Sequence, residues 1–136
     1  MSGPESRALP GVLLVDADIL VRHVLAEYLR GCGYRVVEAA SSDEARSLLA
    51  AGEVEVDVVL ADVQAPGQIS GFTFARWLRE AFPHIDVVVA GAPAQAAKEA
   101  AGLCESGPHL ARPYEPEQVV DYIKRLRASR DRAAVP

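Results

Sequence analysis

Four residues stand where short apolar runs give way to polar sequence, and their types suit phosphoryl chemistry. Asp16 follows the run Val12–Val15, with Ala17 and Asp18 directly behind it. Asp62 follows the run Val56–Ala61, and Arg112 follows Leu110-Ala111 and precedes Pro113. A carboxylate can attack phosphorus as a covalent nucleophile. Neighbouring carboxylates repel, and each resists ionisation unless a cation offsets the charge. A hard divalent ion does so, and Mg²⁺ suits one or two carboxylates completed by water and phosphate oxygens. Together with a guanidinium it would stabilise a transferring phosphoryl group.

Each residue has a plainer alternative. An Asp before a helix caps it, accepting backbone N–H bonds and complementing the dipole. Asp18, two residues nearer the helical stretch, is read first as a cap and Asp16 first as a ligand. Asp62 could serve a turn before Pro66-Gly67, and Arg112 could be a surface cation. The functional reading rests on all four falling at one kind of place in the chain.

That place is set by the elements. Five apolar runs, Val12–Val15, Val36-Val37, Val56–Ala61, Val87–Ala90 and Leu110-Ala111, alternate with amphipathic stretches. Short continuous apolar runs suit strands buried on both faces of a parallel sheet. Between them, Val21, Val24, Leu25, Tyr28 and Leu29 recur at helical spacing until Gly31 and Gly33. Ser41 with Glu44 reads as a capping box before Ala45, Leu48 and Leu49, and Gly52 closes that helix. Phe74, Trp77, Leu78 and Ala81 form a third stripe that ends before Pro83. A fourth helix, roughly Ala94–Ala101, is alanine-rich and has little large apolar area to bury. The fifth starts at Pro116, a good first-turn residue, and buries Val119, Val120, Ile123 and Leu126.

The alternation predicts an α/β fold, (βα)5 and doubly wound, with helices on both faces and right-handed crossovers. Ligands of such sheets bind beyond the carboxyl ends of the strands, where the four residues fall.

The 136 residues suffice for one domain, and half of them are hydrophobic. The net charge of −5 argues against nonspecific binding to nucleic acid or to acidic membranes. Residues 1–68 hold 5 basic against 11 acidic side chains, and residues 69–136 hold 9 against 8, so the acidic half carries the carboxylates. The cluster Lys124, Arg125, Arg127, Arg130, Arg132 is read as a solvated helix end whose cations suit the dipole. Cys32 and Cys104 form no CxxC pair and are expected to be two small free thiols. The first residues lack the pattern of a signal peptide, and no apolar run is long enough to span a bilayer, so the cytoplasm is expected.

At this point the chain resembles the receiver domain of two-component response regulators. The likeness lies in Val12–Asp16, Val21-Arg22, Gly33–Ala39, Asp57–Val63, Pro66-Gly67, Gly71, Arg112-Pro113-Tyr114 and Pro116-Glu117. It covers about residues 10–127, leaving 1–9 as a flexible tail and 128–136 as a C-terminal tail. It implies a flavodoxin-like, five-stranded parallel sheet of order 2-1-3-4-5. It also implies Asp62 as phosphoacceptor, Arg112 in place of the phosphate-binding Lys, and Mg²⁺ held by Asp16, Asp62 and the backbone carbonyl of Gln64. Three departures accompany it. Ala17 replaces an acidic ligand, which predicts weak metal binding. Gly91 (or Ala90 in the alternative register) replaces a Ser/Thr hydroxyl, and His109 replaces an aromatic switch residue.

The implied function is a single-domain receiver in a phosphorelay, taking its phosphoryl group from a histidine kinase or phosphotransfer protein. It is no enzyme beyond catalysing its own phosphorylation and dephosphorylation. A downstream protein partner is expected, with neither nucleic acid nor membrane, and a monomer or weak homodimer. Ala17, Gly91 and His109 suggest an alternative, a degenerate receiver that binds proteins independently of phosphate. Asp16-Ala17-Asp18 also fits the DxD start of haloacid-dehalogenase-type phosphatases, with Asp16 as nucleophile, but the later Ser/Thr, Lys and acidic pair of those enzymes are missing.

Overall fold

In this computed structural model the described residues are 10–64, 68–106 and 115–134. Strand β1 (Gly11–Val15) leads to α1 (Ile19–Gly31), β2 (Arg35–Ala39), α2 (Ser42–Ala51) and β3 (Val58–Asp62). Then come α3 (Gly71–Ala81), β4 (Asp86–Ala90), α4 (Pro93–Ser106) and α5 (Pro116–Ala134). The four strands form one parallel sheet of order β2-β1-β3-β4. The α/β alternation and this order agree with the sequence reading. The expected fifth strand, Leu110-Ala111, and the N-terminal tail 1–9 lie outside the described residues.

β1 is buried along its whole length, and so is β3 up to Ala61. These are the wholly apolar runs, and both faces of the central strands are covered. One core joins β1 and β3 to α1, α4 and α5 through Leu14, Leu25, Leu60, Ala97 and Ile123. The other joins them to α2 and α3 through Leu13, Leu49, Val59, Phe74 and Leu78. In β1, successive residues alternate between the two cores, as strand geometry requires.

Helix boundaries follow local chemistry. Ser41 caps α2 by accepting from Glu44 N, while Glu44 Oε1 accepts from Ala40 N at 2.6 Å, a variant of the expected capping box. Gly52 closes α2 in the left-handed region at φ 70°. In α3, Trp77 stacks on Phe74 and meets Phe82 edge-on, with the Arg46 guanidinium 5.2 Å from its ring.

Three expectations are corrected. α4 is longer than its alanine-rich stretch suggested and runs to Ser106, burying Ala96, Ala97, Ala100 and Ala101 against the α1 face. Small side chains let it approach closely, which compensates for its lack of large apolar groups. α5 continues to Ala134, through most of the expected C-terminal tail, because no helix breaker precedes Pro136 and Arg130 is held by Asp18 and Asp131. Cys32 and Cys104 are joined in a disulfide, with Cα atoms 5.4 Å apart. Cys32 caps the C-terminal end of α1 and Cys104 lies in the last turns of α4, so packing of the two helices joins positions 72 residues apart.

Candidate phosphoryl and metal site

Strand register brings the first two carboxylates together. Val15 of β1 pairs with Ala61 of β3, so Asp16 and Asp62, each one residue further on, emerge side by side. Asp16 N donates to Ala39 O at 3.1 Å, fixing the end of β1 against β2. Asp62 pairs with Ala90 of β4, and Val63 N donates to Ala90 O at 3.0 Å. The carboxyl ends of three strands therefore form one rim. A cavity of about 150 Å³ opens there, lined by Asp16, Asp18, Asp62, Gln64 and Gly91 and reached by Arg127.

Each carboxylate is aimed by its own turn. Asp16 Oδ1 accepts from Asp18 N at 2.9 Å, and Asp62 Oδ1 accepts from Gln64 N at 3.0 Å. These i-to-i+2 bonds are the Asx geometry that Asp favours at strand ends. The Arg22 guanidinium donates to Asp16 O at 2.8 Å and to Glu38 Oε1 at 3.1 Å, tying α1 and β2 to the rim. Gly71 allows α3 to start close behind the site. A Cβ there would lie 2.8 Å from both Val63 Cα and Val63 O and 3.0 Å from Asp62 O.

The electrostatics separate Asp16 from Asp18. Asp16 is pushed up to about 6, chiefly by burial and further by Asp62 and Asp18, against the Asp18 backbone bond and Arg22. For Asp18, burial also works upward, but backbone bonds from Leu20 and Val21 and the Arg127 and Arg130 charges outweigh it, and the net shift is downward. Asp18 N-caps α1 and forms ion pairs of 3.2 Å with Arg127 Nε and with Arg130 Nη1. It is the cap that the sequence suggested, already neutralised from within the chain.

Asp16 is thus a half-buried carboxylate raised partly by its neighbour Asp62, a state that a bound cation would relieve. Asp16, Asp62 and Gln64 line one cavity, and two carboxylates with one further oxygen donor fit a Mg²⁺ ion that keeps waters and phosphate oxygens. Among the described residues, no three His, Cys, Asp or Glu side chains cluster as a metal site. Gly91 stands at the end of β4 as expected. Arg112 and His109 lie outside the described residues, as do Pro66 and Gly67.

Nothing in the sequence alone marks Arg22, Arg127 and Arg130 as rim residues. Two members of the basic cluster expected at a solvated helix end, Arg127 and Arg130, hold Asp18. No local signal pairs positions 109 and 112 residues apart. Among the described residues, no helix is long and apolar enough to cross a membrane.

A family model for the response regulator receiver domain matches residues 12–124. The transcriptional regulatory protein AruR of Pseudomonas aeruginosa is 30% identical over 122 residues, covering 87% of this chain and 49% of that protein. The response regulator receiver protein Anae109_2439 of Anaeromyxobacter sp. is 31% identical over 122 residues, covering 90% and 48%. The chain therefore spans about half the length of these relatives. Among solved structures, the receiver domain of the hybrid histidine kinase CckA has a TM-score of 0.53 at 33% identity, covering 58% of this chain and 72% of that one. The chemotaxis response regulator CheY4 of Vibrio cholerae has a TM-score of 0.55 at 26% identity, covering 86% and 98%.

Proposed function

Because the chain belongs to the response regulator receiver domain family of two-component signalling, we propose that it accepts a phosphoryl group on Asp62 from a phosphohistidine of a histidine kinase or phosphotransfer protein. The observation that carries this reading is the shared cavity of Asp16, Asp62 and the Gln64 turn at the carboxyl end of the sheet. An Asp62 oxygen attacks phosphorus, the P–N bond of the donor breaks, and the imidazole leaves with the electron pair and takes a proton from water. Asp16, Asp62 and the Gln64 carbonyl would hold Mg²⁺, whose charge offsets that of the phosphoryl oxygens. Asp16 keeps the rim negative, and its Asp18 backbone bond and the Arg22 contact on its carbonyl fix its position. Arg112, by resemblance, supplies the cation for the phosphoryl group.

Incubation with Mg²⁺ and acetyl phosphate, read by intact mass, tests the reading. One added phosphoryl group is expected, absent from Asp62→Asn and from samples with excess chelator. An unmodified chain, under conditions that label an ordinary receiver, contradicts it. Ala17 favours a second reading, a receiver that binds a protein partner without phosphate, since it leaves only two carboxylates for the metal. That reading requires the backbone amide spectrum beyond the cavity to stay unchanged on addition of beryllium fluoride and Mg²⁺.

A further inference from the structure

The end of β4 carries an arrangement that family membership does not account for. Gly91 has no side chain where the family places a hydroxyl. Gln95, in the first turn of α4, folds its amide back so that Oε1 accepts from Gly91 N at 2.8 Å. A Cβ on Gly91 would meet that same Oε1 at 3.6 Å and Val63 Cγ2 at 3.9 Å. The Gln95 amide thus borders the space that a side chain at residue 91 would fill, next to the residue that follows Asp62. Gly91 lines the cavity that holds Asp16 and Asp62. A backbone N–H only donates, so the amide oxygen is the accepting atom and the NH₂ group keeps two donors.

We propose that the Gln95 side-chain amide donates a hydrogen bond to a phosphoryl oxygen carried by Asp62, in the role a hydroxyl at residue 91 would otherwise have. The amide donates as a hydroxyl does, reaches further, and adds no charge. The Gly91 bond orients it before any ligand arrives. The inference rests on Asp62 being the phosphoacceptor.

Binding of beryllium fluoride to the full chain in saturating Mg²⁺, measured by calorimetry, tests it. Beryllium fluoride stands for the phosphoryl group on the Asp62 oxygen. Gln95→Ala is expected to bind about tenfold more weakly, the usual loss for one hydrogen bond to a charged group. Gln95→Glu decides between function and mere capping. Its carboxylate can still accept from Gly91 N–H and suits the start of α4, but it has no donor and repels the anion. It should bind at least as weakly as Gln95→Ala while keeping the wild-type melting temperature. Adding Gly91→Thr to Gln95→Ala should recover most of the affinity, since the space at residue 91 imposes only ordinary contacts. Wild-type affinity in either Gln95 variant overturns the proposal and leaves the phosphoacceptor reading intact. A wild-type chain that takes neither beryllium fluoride nor a phosphoryl group overturns both.

Discussion

At the scale of single residues, the site is a place where stability is given up. Asp16 titrates near 6, chiefly because it is partly buried, instead of the ordinary 3.8. A folded-state pKa above the unfolded one means that the folded protein binds more protons between these values. The stability from the protonated form is therefore present below about pH 4 and lost as pH rises through about 6. At neutral pH the ionised Asp16 costs on the order of 1 kcal/mol, discounted for its remaining exposure. Asp16→Asn is accordingly expected to resist urea better than the metal-free wild type at pH 7.5. The advantage should shrink as pH falls towards 4; an equal difference at every pH would show that the strain lies elsewhere. Ala17→Asp should act oppositely on the metal, raising Mg²⁺ affinity at least roughly tenfold by a third acidic ligand. An unchanged titration would mean that residue 17 does not face the ion. The aspartates were legible in the sequence because strand-end position and residue type suffice to pick them out. Arg22 was not, because its reach to the Asp16 carbonyl depends on the rotation of α1 about its axis.

Among the elements, periodicity and punctuation located the helices well. The Ser41–Glu44 spacing, Gly52 and Pro83 mark ends that the structure places within a residue or two. The extent of α4 was missed, since alanines carry no amphipathic signal strong enough to show where burial stops. Gly71 is the most demanding joint, with α3 starting against the backbone of the phosphoacceptor turn. Gly71→Ala is expected to cost about 1–3 kcal/mol by overpacking, and to shift the amide resonances of Asp62 and Val63. A variant with wild-type stability and an unmoved Asp62 resonance would show that the turn has slack. Ser41→Ala, at the N-terminus of α2, should cost about 1 kcal/mol through the lost cap, read as a lower urea midpoint; an unchanged midpoint would show that the cap is dispensable.

For the molecule as a whole, the parallel sheet and the rim that brings Asp16 beside Asp62 were readable from the first four apolar runs. The long-range ties were not. Cys32 with Cys104, Tyr34 Oη with Leu103 O at 2.7 Å, and Arg127 and Arg130 with Asp18 all join distant positions through the packing of α1, α4 and α5. A cross-link spanning 72 residues should contribute roughly 4 kcal/mol in the chain-entropy account. Reduction, or Cys104→Ser, is therefore expected to lower the melting temperature by many degrees and to speed amide exchange in α4 first. A melting temperature indifferent to reductant would contradict this tie between α1 and α4.

The central claim is that Asp62, not Asp16 or Asp18, takes the phosphoryl group. Borohydride reduction of the acetyl-phosphate-treated chain converts an aspartyl phosphate to homoserine, and peptide mass mapping then locates it. Homoserine at position 62 alone is the predicted result. Homoserine at position 16, the nucleophile of the phosphatase alternative, or at no aspartate under labelling conditions, would contradict it.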